Sequence, residues 1–232
     1  MEKRRLTLYS EPLYLFALLL IAFSVSMTVA AGLGVSMIVC PAYLVSEKLE
    51  FLSFGQAEYL LQGVLFVALC VIVRRFKWVY LSSFLSCLVY GFVLDLFQKF
   101  IPLFNAAKTP PESLHMGARI ALLIGDMVLT SLSVALFFKV YLYPQVYDFF
   151  VKAIVVRFRL KEGVTKTVFD ISFLALSVIL SFALFGGVTG IGWGTLAMAV
   201  CNGTLIGLFS KAFDRLFTVK PIFPKFARLF EI

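Results

Sequence analysis

The chain has 232 residues, of which 61% are hydrophobic and only 15% charged, and its mean hydropathy is +0.98. A water-soluble enzyme with one packed core does not need that much apolar surface, so lipid is the expected solvent. A net charge of +8 would suggest nucleic acid in a soluble chain, but between apolar runs an excess of Lys and Arg is first a topology signal, and no nucleic-acid partner is expected. Charged residues fall in short clusters, which leaves a single membrane domain over 1–232 and no separate soluble one.

The chain opens with Lys3, Arg4 and Arg5 before an apolar run, which imitates a signal peptide, and Thr28-Val29-Ala30-Ala31 could pass for a cleavage site. The run from Leu13 to Ala30 is long enough to span, and retention as the first membrane helix is expected. Six stretches have the length and apolarity to cross, at about 13 to 30, 54 to 73, 78 to 97, 119 to 138, 168 to 185 and 194 to 211. All should be helices, because lipid offers nothing to an open backbone. With the N-terminus inside, roughly 17 of 21 Lys and Arg fall on the cytoplasmic side, leaving Lys48, Lys99, Lys108 and Arg119 outside. The expectation is an all-α membrane protein with both termini cytoplasmic.

Between the first and second spans, Gly32 to Leu49 is too short and polar to cross and resembles a half-helix with Pro41 in its middle. Between the fourth and fifth, Tyr143-Pro144-Gln145-Val146-Tyr147-Asp148 leads into an aromatic and basic helix ending near Arg159. Its pattern suits a helix lying flat on the inner surface, with a re-entrant half-helix as the alternative. The order is therefore span, short helix, span, span, performed twice, over about 12 to 102 and 124 to 214. A step of about 112 residues overlays the halves without gaps, placing Gly32 on Pro144, Ser36 on Asp148, Glu58 on Asp170 and Gly91 on Gly203. Three spans per half is an odd number, so the fold expected is two inverted three-helix repeats, each with a half-helix or interfacial helix after its first span.

Several polar residues interrupt the apolar spans. Glu58 and Gln62 lie at i and i+4 on one helix face, where they would present a carboxylate and an amide to a common cavity, unless Glu58 only charges a helix N-terminus among headgroups. Asp170 carries the same two readings at the other face. Asp95 is either a pathway group or the partner of Lys99 at i+4. Asp126, with Thr130 and Ser133 on the same stripe, is expected to face the protein interior and share a cavity with Asn202 or Glu58. Asn202 is a solute ligand or interhelical glue, and Gly203 with Gly207 suggests close helix packing. Gly190, Gly192, Gly194 and Thr195 feed a helix N-terminus, a nest that would hold an anion unless it is only a tight turn. Pro144 and Asp148 mark the second short segment as part of the candidate site.

Chemistry on the chain itself has little support. His115 is the sole histidine, no nucleophile-base pair or metal-ligand spacing occurs, and Cys40, Cys70, Cys87 and Cys201 show no C-x-x-C pattern. No enzyme activity, cofactor or metal is expected, and without a P-loop no ATP hydrolysis.

At Gly32-Leu33-Gly34-Val35-Ser36, Ser53-Phe54-Gly55-Gln56, Tyr90-Gly91-x-x-x-Asp95, Tyr143 to Asp148 and Gly190 to Thr195, the chain resembles the YitT/YczE-like bacterial membrane proteins. The resemblance spans about residues 10 to 228 and implies a multi-pass protein of the bacterial cell membrane, while supplying no substrate. The leading expectation is a secondary transporter of a small polar or charged solute, with Glu58, Asp95, Asp126 and Asp170 suited to proton or cation coupling. A channel with re-entrant short helices and a non-transporting binding or scaffold protein are the alternatives. The partners expected are the lipid bilayer and one small solute, with a homo-oligomer open.

Overall fold

The computed structural model describes residues 6–74 and 78–230, so the basic residues Lys3, Arg4, Arg5, Arg75 and Lys77 used in the topology count lie outside it. Among the described residues 76% are helical. Its six long apolar helices are α1 (Ser10–Ala31), α3 (Phe54–Val73), α4 (Leu81–Phe100), α5 (Met116–Phe137), α7 (Glu162–Phe185) and α8 (Trp193–Leu216), each long enough to cross a membrane. Between spans lie two shorter helices, α2 (Cys40–Lys48) and α6 (Val146–Phe158).

The core forms around α1, the most buried span, while α8 is the least buried. Small residues explain the place of α1: Ala17, Ala22, Ser24, Ser26 and Ala31 are fully buried and let neighbouring helices approach closely. Gly32 ends α1 in the left-handed region at φ 59°, and Arg119 of α5 donates to the carbonyls of Ala31 and Gly32, both at 2.7 Å. Further along the same contact Thr130 pairs with Ser24 at 2.6 Å and Ser133 donates to the Ala17 carbonyl at 2.7 Å. Partners on α1 fall as numbers on α5 rise, so the two helices run antiparallel. Each short helix, α2 and α6, packs against both α3 and α7.

A second close crossing joins α3 to α4. A Cβ placed on Gly55 would lie 2.0 Å from the carbonyl oxygen of Gly91, so the glycine is required by backbone contact. By contrast, Gly203 and Gly207 on α8 have open space around them, which removes the close-packing role the sequence suggested.

Two sequence expectations need correction. The step of 112 holds from Val73 to Phe185 and from Leu81 to Trp193, but Ser10 to Met116, Ala31 to Phe137 and Cys40 to Val146 are each a step of 106. The difference arises because α6 and α7, at 13 and 24 residues, are each four longer than α2 and α3, at 9 and 20, while the link joining them is two shorter. Glu58 and Asp170 keep their correspondence, each 15 residues before the end of its helix, whereas Gly32 with Pro144 and Ser36 with Asp148 do not. In addition α6 does not lie flat on a surface. Val146, Tyr147, Phe149 and Val151 are buried among α3 and α7, and exposure begins only in its last two turns.

The strands were not anticipated. β1 (Leu6–Tyr9) pairs in parallel with β2 (Phe217–Lys220), just after α8, so the two ends of the chain emerge at one face. Glu11 reinforces the joint by accepting from the backbone of Ile222 and Phe223 and from the Tyr141 hydroxyl. A last short helix, α9 (Pro224–Ala227), leads to Phe230, buried against Tyr141 and Tyr143.

The glycine contacts give a paired test. Gly55→Ala is expected to cost about 1–3 kcal/mol by forcing the α3–α4 crossing apart, while Gly207→Ala should be neutral or slightly stabilising. Thermal melts of the two purified variants in one detergent check this, and equal melting points would contradict the crossing.

Candidate functional site

Two non-helical segments meet where α1 and α7 end and α5 and α8 begin, residues 32–39 before α2, with Val35 and Val39 buried, and the half-exposed residues 186–192 before α8. Each supplies the other's hydrogen bonds. The Val35 N–H donates to the Gly190 carbonyl at 2.9 Å, the Gly194 N–H to the Leu33 carbonyl at 2.8 Å, and the Thr195 hydroxyl to the Val35 carbonyl at 2.7 Å. Gly34 and Gly190 adopt positive φ of 101° and 72°, and a Cβ on Gly192 would lie 2.4 Å from the Leu33 oxygen, so this clasp needs its glycines. The Gly192 N–H is used as well, on the Thr195 hydroxyl at 3.2 Å. Gly190, Gly192, Gly194 and Thr195 therefore form a clasp on the segment before α2, not an anion nest, because the donors at Gly192 and Gly194 are already taken.

Beside the clasp lies a cavity of about 430 Å³. Its wall draws on α1, α4, α5, α6, α7, α8 and residues 36–39 ahead of α2. The segment before α2 and the first turn of α6 both reach it. The cavity brings together four of the acids and amides expected from sequence: Asp126, Asp148, Asp170 and Asn202.

Asp126 is 1% exposed. Its Oδ1 accepts from the Thr130 hydroxyl at 3.0 Å, and its Oδ2 has no hydrogen-bond partner among the described residues. Asn202 lines the same cavity with its Oδ1 likewise unpartnered, as is Nε2 of the buried Gln145. Buried polar atoms left unpaired are costly and rare, so three at one cavity ask for a ligand or water. Asp148 and Asp170 differ from Asp126 because Lys166 lies between them, 3.3 Å and 3.2 Å away. Asp170 is thus an ion-paired cavity residue and not a bare acid.

Glu58 and Gln62 do act together, as their spacing implied, but away from the cavity. Glu58 is fully buried within the protein, and its Oε2 accepts from Gln62 at 3.2 Å and from the Tyr147 hydroxyl at 3.1 Å. Gln62 accepts from the Val146 N–H at 3.1 Å and donates to Gln145 at 3.3 Å. The pair on α3 therefore braces the N-terminus of α6, whose first donors have no partner in their own helix. Burial first, and the nearby Glu58 carboxylate second, push the Tyr147 phenol well above its ordinary pKa, so it remains a donor.

Asp95 leaves the candidate site. Its carboxylate accepts from the Ser53 hydroxyl at 2.5 Å and from the Gly55 N–H at 2.8 Å, capping α3 from α4. Ser53 and Gln56 complete the cap on their own backbone. Pro144 is absent from the central cavity and lines a second one of about 450 Å³, which shares Phe138, Asp148 and Lys166 with the first.

The family model for DUF6198 matches residues 8–211. The chain belongs to DUF6198, a family of unknown function. That match contains every residue of the clasp and of the central cavity. No curated protein and no solved structure matches the chain.

Sequence reasoning missed Gln145, Tyr147 and Lys166. Gln145 and Tyr147 stood in the Tyr143-to-Asp148 motif beside the two residues singled out, and a buried amide next to a helix start was the available signal. Lys166 falls four residues before Asp170, an i, i+4 pair open to recognition had the span not been started at about 168.

The cap assignment is directly testable. Asp95→Ala is expected to cost about 1–3 kcal/mol, since two donors at the start of α3 lose their acceptor, while Lys99→Ala should change stability by less than about 0.5 kcal/mol. Denaturation of the purified variants separates this from an Asp95–Lys99 pair, which would make both substitutions cost alike.

Proposed function

We propose that the chain is a secondary transporter that carries a small polar or charged solute across the bacterial cell membrane through the central cavity. The observation that carries this reading is Asp126, a carboxylate enclosed in an apolar bundle, lining a cavity, with one oxygen unpartnered. A charge in such a place is expensive unless it serves a solute, an ion or a proton. The cavity volume of about 430 Å³ lies within the range of small-molecule sites.

In this reading the two halves are inverted repeats. Support comes from the antiparallel α1–α5 contact, the packing of each short helix against both α3 and α7, and the pairing of Ser24 with Thr130, which stand 106 residues apart like the starts of α1 and α5. A residue that touches its own counterpart is what a two-fold axis between the halves would produce. Both ends would be cytoplasmic, as the distribution of Lys and Arg implies. The resemblance to YitT/YczE-like proteins agrees with this setting.

The Asp148–Lys166–Asp170 cluster stands where the two cavities meet, the second of which is walled by the end of α5 and by α6. We assign it the part of an inner gate, since rearranging two ion pairs would join the cavities. Coupling to protons would then use Asp126, whose single ionisable function is to exchange a proton for a solute contact. A channel is the second reading, favoured by the chain entering α2 and α6 from the same cavity.

Screening the purified protein by thermal shift against a broad solute library tests the reading, because a ligand bound only by the folded state raises its melting point. At least one solute should stabilise the wild type and fail to stabilise Asp126→Asn, which keeps the shape and loses the charge. Reconstituted vesicles should accumulate that solute under a proton gradient. A variant that binds and transports as the wild type does at every pH would refute the role of Asp126. For orientation, a cysteine at Lys108 should react with an impermeant reagent from outside the cell and one at Lys161 should not.

A further inference from the structure

The wall of the central cavity is divided by chemistry. Ile21, Val25, Val134, Phe138, Met198 and Ile206 give it an extensive hydrocarbon side. At the polar side three carboxylates, Asp126, Asp148 and Asp170, face one ammonium, that of Lys166, which is already held by two of them. Asp126 is left as the carboxylate with no cation, and the unpartnered oxygens Asp126 Oδ2 and Asn202 Oδ1 both want donors.

The helix ends that reach the cavity do not reverse this balance. The Val39 and Cys40 N–H groups at the start of α2 are bonded to the Ser36 carbonyl, the Val146 N–H of α6 to Gln62, and Asp148 sits in the first turn of α6. The positive ends of both short helices are thus largely answered by the protein. The cavity also reaches a gap in the bundle, because its wall includes α7 and α8, and no contact like that of α3 with α4 joins those two among the described residues. A ligand with an apolar body can occupy that gap without stranding polar atoms against lipid.

We propose that the cavity takes an amphipathic primary ammonium, with its N–H donors on Asp126 and Asn202 and its apolar body against α1, α5 and α8. This inference rests on the transporter reading of the same cavity and narrows its solute. A quaternary cation would lack the donors, a hydrophilic amine would leave the hydrocarbon wall unused, and an added carboxylate would meet Asp126, Asp148 and Asp170.

The test uses the purified full-length protein and four probes measured by isothermal titration: phenethylamine, its N,N,N-trimethyl derivative, ethanolamine and L-phenylalanine. Phenethylamine should bind at least tenfold more tightly than each of the others. Asp126→Asn should weaken it tenfold or more, and Asn202→Ala should weaken it to a lesser degree, which keeps the test valid if the first variant fails to fold. Equal or tighter binding of ethanolamine, the trimethyl derivative or phenylalanine overturns the proposal. If none of the four binds while another solute class stabilises the protein through Asp126, the ammonium inference falls and the transporter reading stands. If no solute stabilises the protein at all, the transporter reading falls and the inference with it.

Discussion

Backbone that leaves the helix gives up its helical hydrogen bonds and must find others, and here two such segments find them in each other. Residues 32–36 and 190–195 are far apart in the chain, yet Leu33, Val35, Gly190, Gly194 and Thr195 exchange hydrogen bonds that neither segment could make alone. That mutual cover holds the turn into α2 against the turn into α8. Because it fixes where those helices begin, it also fixes the wall of the cavity they border. The glycines at 34 and 192 serve this approach, since any side chain there would collide with the opposite strand of the clasp.

Four kinds of carboxylate environment follow from the packing. Asp95 is consumed as a cap, Glu58 as a brace on α6, and Asp148 and Asp170 share Lys166. Asp126 accepts from the Thr130 hydroxyl on one oxygen, has no hydrogen bond on the other, and has the Ser24 and Thr28 hydroxyls beside it. The residue type is nearly the same throughout, and the neighbours decide the job. Glu58 also keeps one unpartnered oxygen, but it does not line the central cavity, so the solute reading is placed on Asp126, the acid that is both incompletely satisfied and in the cavity wall.

The six spans were legible because twenty apolar residues in a row admit few other structures. The inward face of Asp126 was also legible, since Thr130 and Ser133 continue its stripe and a charge against lipid costs roughly 2.5–3.5 kcal/mol on insertion scales. Register between the halves was not, because an apolar helix slides past hydropathy without penalty and the six-residue difference accumulates from small changes in α6, α7 and their link. Asp95 and Glu58 were misplaced for another reason. Their partners, Ser53, Gly55 and Tyr147, lie on other elements, and only the fold brings them within reach. The β1–β2 pair escaped notice because each strand has four residues and its partner lies at the other end of the chain.

The central claim is that a hydrated, ligand-accepting cavity lies along one face of α8 while its other faces meet lipid. In a background freed of the native cysteines, single cysteines at Ala199 and Ile206, which line the cavity, and at Val200 and Leu208, which are 78% and 59% exposed on the outside, separate the two environments. Treated in intact membranes with a charged, impermeant methanethiosulfonate applied to both sides, Ala199→Cys and Ile206→Cys should react and be protected by a bound solute, while Val200→Cys and Leu208→Cys stay unmodified in hydrocarbon. Uniform silence along α8, or reaction at the outward positions alone, would contradict the account.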